Sequence, residues 1–236
     1  MTTASPPFSL MDFVVPEETP MSAYPRNITQ RSVGNADQQS ARWVGDAAPP
    51  TDAIVMVESD PTWPESYRRE ADRVVAVLGD EVVRIEHVGS TSVPGLPAKP
   101  IIDIDLQVLD SDAEQAYIPA LERVGYTHVL REPWWNGHRM LVRDDGRINL
   151  HVFPAGSPEP LRHLLFRDWL RTHTDDRDLY GSTKKRLAAA TADDPDSYNL
   201  AKNDVIDEIY SRIFSVPPHT HPAWPTRPIS AGGRPS

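Results

Sequence analysis

The chain has 236 residues, 39% of them apolar, with 24 prolines, 12 glycines and a formal net charge of −10. That length and apolar content suit one ordinary domain built round a single core. No cysteine is present, which excludes disulfides, thiolate zinc sites and a cysteine nucleophile. The acidic balance argues against broad affinity for nucleic acid or for an anionic membrane, since both require an excess of Lys and Arg. No apolar run approaches a membrane span, and the N-terminus has no basic region leading into an apolar stretch. Neither a membrane nor a secreted protein is expected, and a cytoplasmic location is.

Residues 1–50 read as a tail, rich in Pro, Ser, Thr and Gln and without a period of 2 or 3.6, and are expected to be disordered. Residues 51–215 form the expected domain, and 216–236 a second, Pro-rich tail. Within the domain IVMVES reads as a short strand. A helix follows over TWPESYRREADRVVAVLG, with Tyr67, Ala71, Val74, Val75 and Leu78 on one face and Gly79 as its stop. VVRIEHVG is a strand that enters the loop GSTSVPGLPAKP, and IIDIDLQVL is the strongest strand, alternating and β-branched. A helix over 112–124 carries a flaw at Pro119. HRMLVR, DDGR and INLHVF form a hairpin with Asp-Gly at its turn. The last third is helical, with starts at Ser157-Pro158, at Asp175 or Asp176, and at Asp196. Strands first and helices later predict an α+β fold, a mixed sheet with flanking helices and a helical C-terminal part.

Side chains two apart on a strand point the same way, so Asp103 and Asp105 share a face while Ile102, Ile104 and Leu106 fill the other. Adjacent carboxylates repel unless a cation or a proton lies between them. A hard divalent ion, Mg²⁺ with Mn²⁺ as its substitute, answers that need and keeps open positions for substrate phosphates. Alone, Asp-x-Asp is equally the polar face of a solvated strand. Ser90 lies thirteen residues before Asp103, at the end of an apolar strand and after Gly89. A glycine there lets the backbone turn sharply and approach a ligand, and Ser90 and Thr91 can donate to phosphate oxygens.

The segment EHVGSTSVPGLPAKPIIDIDLQV resembles the hallmark of the GrpB (UPF0157-type) family, a branch of the polymerase-β-like nucleotidyltransferase superfamily. LLFRDWLRTH, DLYGSTKKRLA and DSYNLAKNDVIDEI resemble that family's C-terminal helices in the same order, so that the likeness spans about 54–214 and leaves out both tails. The resemblance implies a pocket for ATP or another nucleoside triphosphate, with phosphates at Gly89 and Ser90 and the metal on Asp103 and Asp105. It implies transfer of a nucleoside monophosphate to a small-molecule or protein acceptor, by positioning and charge neutralisation. A non-catalytic or chaperone-like nucleotide-binding module and an adenylate-forming ligase use the same pocket. An RNA-tailing enzyme is a poor fit to the acidic charge.

The superfamily's third carboxylate would fall on INLHVF, where His151 stands. Three roles are open to it: general base or ligand, bystander in a binding module, and hydrogen-bonded sheet residue. His87 can reach a phosphate or a metal, or brace the loop, and the bracing role is preferred. A zinc site from His87, His138 and His151 has no supporting spacing. Lys99, Arg139, Lys184 and Lys202 are candidates for phosphate, with Tyr180 four residues before Lys184 and Tyr198 four before Lys202. On a helix each pair shares a face, as would two surface lysines lying across half-buried tyrosines. Arg167 and Asp168 suit a structural ion pair. Trp134 and Trp135 either gate a pocket or pack, and packing of at least one is expected.

Overall fold

The computed structural model describes residues 23–32, 34–48, 54–144, 146–190 and 201–224. Five strands form one mixed sheet: β1 (Arg84–Val88), β2 (Ile102–Val108), β3 (Thr127–Glu132), β4 (His138–Arg143) and β5 (Ile148–Pro154). Their order is β1-β2-β5-β4-β3, with β2 and β5 parallel and every other pair antiparallel. The hairpin of β4 and β5 forms as expected. β3 was not expected, because THVLRE has apolar residues only at Val129 and Leu130, without alternation, and occupies an edge. IVMVES does not become a strand; Val57 alone bridges Ala98.

Alternation decides the two faces. Ile102, Ile104 and Leu106 of β2 lie beside Leu141, Leu150 and Val152 in a core closed by α3 (Trp63–Leu78) and α4 (Glu114–Glu122). Burial of such side chains is worth about 1.5–3 kcal/mol each. Val75, expected on the inner face of α3, is 44% exposed. Pro119 sits inside α4 on its exposed side. The opposite face of β2, bearing Asp103 and Asp105, turns toward a second apolar cluster. That cluster is contributed by α5 (Pro158–Thr172), α6 (Thr174–Ala190) and α7 (Asn203–Ile213), with Val93 and Leu96 of the loop after β1. The expected helix start at Asp196 lies outside the described residues, as do residues 1–22 and 225–236 of the two expected tails.

The expectation of tails up to residue 50 and from 216 is corrected for their described parts. Tyr24 and Ile28 are 4% and 1% exposed, and Tyr24 Oη donates to Ile213 O and Val216 O at 3.2 and 3.0 Å. Val216 and Trp224 pack on the same cluster. Two short helices, α1 (Arg26–Thr29) and α2 (Ala36–Ser40), belong to this segment. Val44 N donates to Val129 O and Arg131 N to Arg42 O, so residues 42–44 cover the β3 edge. Composition missed this because a few well-placed apolar residues suffice to dock a segment that has no periodicity of its own.

Candidate active site

β1 ends at Val88 and is followed by Gly89, whose φ of 66° and ψ of −172° belong to a region essentially reserved for glycine. Any Cβ there would collide with the Asp103 carboxylate. The chain then enters a single 3₁₀ turn, Ser90–Ser92. Arg171 fixes the turn by donating from Nε and Nη2 to Ser92 O at 3.1 and 2.8 Å. Asp103, Asn149 and His151 share one face of the sheet, since Asp103 pairs with Asn149 and Asp105 with His151. Asn149 Nδ2 donates to Asp103 Oδ1 at 2.9 Å, and His151 Nε2 lies 3.7 Å from the same oxygen. Burial opposes the Asp103 charge, but the His151 ring, the Asn149 amide and the Lys202 charge outweigh it and hold this carboxyl below the usual aspartate range.

Asp105 is 2% exposed. His163 of α5 donates from Nδ1 to its Oδ2 at 2.8 Å. Burial works against the His163 imidazolium, yet the Asp105 charge and hydrogen bond prevail and raise it to about 9. The other oxygen, Asp105 Oδ1, is buried without a hydrogen-bond partner. An orphan carboxylate oxygen beside a second carboxylate suits a hard divalent cation. A second histidine system reaches the site from the sheet. His138 Nδ1 lies 2.7 Å from Glu132 Oε2, and His138 Nε2 lies 3.0 Å from His151 Nδ1. Burial keeps His138 neutral and raises the Glu132 carboxyl.

Three lysines converge from elsewhere in the chain. Lys184 of α6 is 2% exposed and donates to Ser90 Oγ and Pro97 O at 2.8 and 2.6 Å. Burial, then the Lys202 charge, bring its ammonium down to about 7, with Asp103 acting in the opposite sense. Burial and Lys99 lower Lys202 to about 8, and burial lowers Lys99, each again opposed by Asp103. Beside Gly89 and Ser90 a cavity of about 310 Å³ opens between the turn and the helices, walled by Trp135, Phe166 and Tyr180. His163 closes one side of it, and Arg31 and Ser32 of the N-terminal segment another.

The family model described as GrpB protein matches residues 53–212 of this chain. The chain belongs to the GrpB family. A UPF0157 protein of Halalkalibacterium halodurans is 49% identical over 169 residues, covering 72% of this chain and 87% of that protein. One from Streptomyces coelicolor is 45% identical over 160 residues, covering 67% and 83%. The crystal structure of the conserved protein GrpB from Enterococcus faecalis superposes with a TM-score of 0.57 at 30% identity, over 66% of this chain and 99% of that one. A protein of Mycobacterium tuberculosis named dephospho-CoA kinase is 30% identical over 185 residues, covering 67% of this chain and 46% of that longer protein.

In this GrpB chain the structure brings together Gly89, Ser90, Asp103, Asp105, His151 and Lys184, with Lys99 and Lys202 coupled to them through Asp103. Tyr198 lies outside the described residues. Arg139 requires correction. Met140, not Arg139, pairs with His151, so the Arg139 side chain leaves on the opposite face. There it is 4% exposed and bound to Asp112, Glu114 and Gly137 O. The Thr91 hydroxyl is also committed, donating to Ile101 O at 3.0 Å and accepting from His87 Nε2 at 3.1 Å. His87 pairs with Ile104, so it faces the core side, stacked on Tyr67, and braces the loop; burial drops it to about 4. The zinc trio is thereby split, and among the described residues no group of three or more His or acidic side chains is arranged for a metal. Arg167 does pair with Asp168, at 2.7 Å, and also with Glu86 and His87 O. Trp134 packs on Gly34, where a Cβ would strike its ring. His163 and the Glu132–His138 pair were missed. A signal for the first existed: His163, Arg167 and Arg171 recur every four residues along α5, and all three bind polar groups of β1, β2 or the loop.

Proposed function

We propose that this GrpB protein moves a nucleoside monophosphate from a nucleoside triphosphate, ATP in the first place, to a hydroxyl or amine of a small molecule or protein. The observation that carries the reading is the convergence of Lys99, Lys184 and Lys202 on Asp103 beside the Gly89–Ser90 turn. Lys202 opposes the charge on Lys184, and Lys99 that on Lys202, and a polyanion such as a triphosphate relieves such repulsion. Asp103 and Asp105 would hold the divalent ion, Mg²⁺ or Mn²⁺, the orphan Asp105 Oδ1 being the oxygen best placed to gain by it. Bound there, the ion supplies charge neutralisation to the phosphates. His151 is held by His138 through Nδ1 and presents Nε2 toward Asp103, as a general base for the acceptor requires. The longer relatives named dephospho-CoA kinase favour phosphorus-group chemistry as a class; matching under half of their length, they say nothing of the substrate. A nucleotide-consuming reaction without nucleic acid or membrane as partner fits the cytoplasm, and among the described residues no helix is long and apolar enough to cross a membrane.

A second reading has its own observation. His163 already neutralises Asp105, and His151 stands where the superfamily places an acid, which suits a non-catalytic or chaperone-like nucleotide-binding module. Adenylate formation for a ligation would use the same groups. Thermal melting with each triphosphate, with and without Mg²⁺, tests the site on wild type and on the double variant Asp103→Ala, Asp105→Ala. Metal-dependent stabilisation in wild type, absent from the variant, is expected. If no triphosphate stabilises the wild type, the reading fails. Pyrophosphate release then separates transfer from binding alone.

A further inference from the structure

A row of polar side chains runs across the sheet into the site. Glu132 of β3 pairs with His138 of β4, and Met140, two residues on from His138, pairs with His151 of β5. His151 in turn pairs with Asp105, so Glu132, His138 and His151 lie on the face that carries the two aspartates. The Glu132 and His138 side chains are buried, whereas the His151 ring is 19% exposed where it meets the site. Trp135 and Phe153 cover the His138 ring, with centroids 4.6 and 4.9 Å away. Two contacts join the row, Glu132 Oε2 to His138 Nδ1 at 2.7 Å and His138 Nε2 to His151 Nδ1 at 3.0 Å, and each needs one proton. Burial raises the Glu132 carboxyl, but Arg42, from the segment over the β3 edge, brings Nη1 to 3.8 Å from Glu132 Oε1 and favours the carboxylate. Glu132 then accepts and His138 Nδ1 donates, while burial keeps the His138 ring from taking a second proton. His138 Nε2 is left as an acceptor, so the proton of the second contact belongs to His151 Nδ1. The remaining nitrogen, His151 Nε2, carries a lone pair, and at 3.7 Å from Asp103 Oδ1 it makes no hydrogen bond there. The bond at one ring nitrogen thus decides the state of the other. A hairpin that needed only packing would be served at lower cost by apolar side chains.

We propose that Glu132 and His138 are positioning residues that fix His151 in the tautomer with its proton on Nδ1 and its lone pair on Nε2, turned into the site. The use made of that lone pair rests on the transfer reading above; the tautomer does not. In the transfer step Nε2 takes the proton of the acceptor hydroxyl, whose oxygen bonds to the α-phosphorus. The bond from that phosphorus to the bridging oxygen breaks, and pyrophosphate leaves with the electron pair. The imidazolium so formed keeps its Nδ1–H on His138, and the Glu132 charge behind the two rings favours it. With its proton on Nε2 instead, a neutral His151 would offer the acceptor no lone pair on the side of the site. The phosphates belong to Ser90 and the lysines, so the row acts on the acceptor's proton alone. Arg42 stands at its far end, which gives the N-terminal segment a part in the site's chemistry.

The test uses the full chain with ¹⁵N-labelled histidine as wild type, His138→Phe, Glu132→Leu and Glu132→Gln, with melting curves to show that each is folded. Long-range proton–nitrogen NMR spectra at mildly alkaline pH, where the rings are neutral, report which ring nitrogen carries the proton. The His151 signals are identified by their loss in His151→Asn. Wild-type His138 and His151 should both carry the proton on Nδ1. His138→Phe and Glu132→Leu should move the His151 proton to Nε2, while Glu132→Gln, whose amide oxygen still accepts, should keep it on Nδ1. A wild-type His151 protonated on Nε2, or a His151 tautomer unchanged in His138→Phe, overturns the proposal. Should the two apolar variants fold poorly, the wild-type and Glu132→Gln spectra carry the same test, and an Nε2 proton on wild-type His151 still overturns it. In a parallel arm, pyrophosphate release from ATP and Mg²⁺, with water or an added alcohol as acceptor, should be about a hundredfold slower in His138→Phe. The rise in melting temperature with ATP and Mg²⁺ should stay at its wild-type value in that variant, since the row does not touch the phosphates. Release at the wild-type rate overturns the positioning role. The expected tautomers without pyrophosphate release from the wild type place the failure in the transfer reading instead.

Discussion

Gly89 and the histidines round the carboxylates show how much single residues decide. At φ 66° and ψ −172° the Gly89 backbone accepts no side chain without strain, and the first atom of one would displace the Asp103 carboxylate. Gly89→Ala should cost about 1–3 kcal/mol in urea denaturation and should also abolish metal-dependent stabilisation by triphosphate; retention of both would sink the assignment. The histidines give stability a pH dependence with two limbs of opposite origin. His163 is raised to about 9 when folded, against roughly 6.5 unfolded. It binds its proton more tightly in the native state, so its contribution is complete below about pH 6.5 and disappears as pH rises through about 9. His87 is lowered to about 4, so its contribution is present above about pH 6.5 and lost as pH falls through about 4. On the alkaline side this loss is set against the gain from Lys184 and Lys202, lowered on folding to about 7 and about 8, whose contributions grow as pH rises. Replacing His163 by Asn should leave the acid limb as it is and make stability rise more steeply above neutrality, and an unchanged alkaline profile would contradict the Asp105 pairing.

Among the elements, α6 carries the most function for the least sequence signal. Its approach to the loop depends on Gly181, where a Cβ would stand 3.2 Å from Pro97 and 3.4 Å from Leu96. One turn later, that closeness lets Lys184 reach Ser90. Gly181→Ala gains about 1 kcal/mol of helix propensity and spends much of it on crowding, so stability should change little. Gly181→Val should lose about 1–3 kcal/mol by overpacking against Pro97 and Leu96, read as an earlier denaturation midpoint. In α4 the opposite holds: Pro119, exposed and inside the helix, leaves the Gln115 carbonyl without its helical donor. Pro119→Ala should stabilise by about 1–2 kcal/mol, read as a later denaturation midpoint. The elements legible in the sequence were those whose own period matched their burial. IIDIDLQV, the β4–β5 hairpin and α3 declare their faces through alternation or a 3.6 repeat, and the Asp103–Asp105 face follows from β2 alone. β3 and the Asp105–His163 contact were not legible. An edge strand needs no apolar repeat, and a contact between residues 58 apart in the chain is made by the packing of α5, which no local pattern encodes. Arg139 failed for a narrower reason: one residue of register moves a strand side chain to the other face.

At the scale of the whole molecule, two apolar clusters meet along the site, one under the sheet and one among the C-terminal helices. The family match begins at residue 53, yet Tyr24 and Ile28, upstream of it, belong to the helical cluster. Arg162 of α5 donates to Ile28 O, Arg31 pairs with Asp207 of α7, and Arg31 and Ser32 form part of the cavity wall. This segment thus ties α5 to α7 and completes a cavity that the family-matched residues leave open on that side. Ile28 is 1% exposed, so truncation removes buried methylenes and leaves a hole between helices that cannot close freely. Ile28→Ala should cost about 2–5 kcal/mol in urea denaturation. Val75→Ala, on the exposed side of α3 and 44% exposed, should stay within about 0.5 kcal/mol of wild type. If the segment is integral to the helical layer, Ile28→Ala should also weaken stabilisation by triphosphate, because α5 carries His163 and α7 begins beside Lys202. A loss for Ile28→Ala no larger than for Val75→Ala would show that residues 23–48 lie on the domain without supporting it.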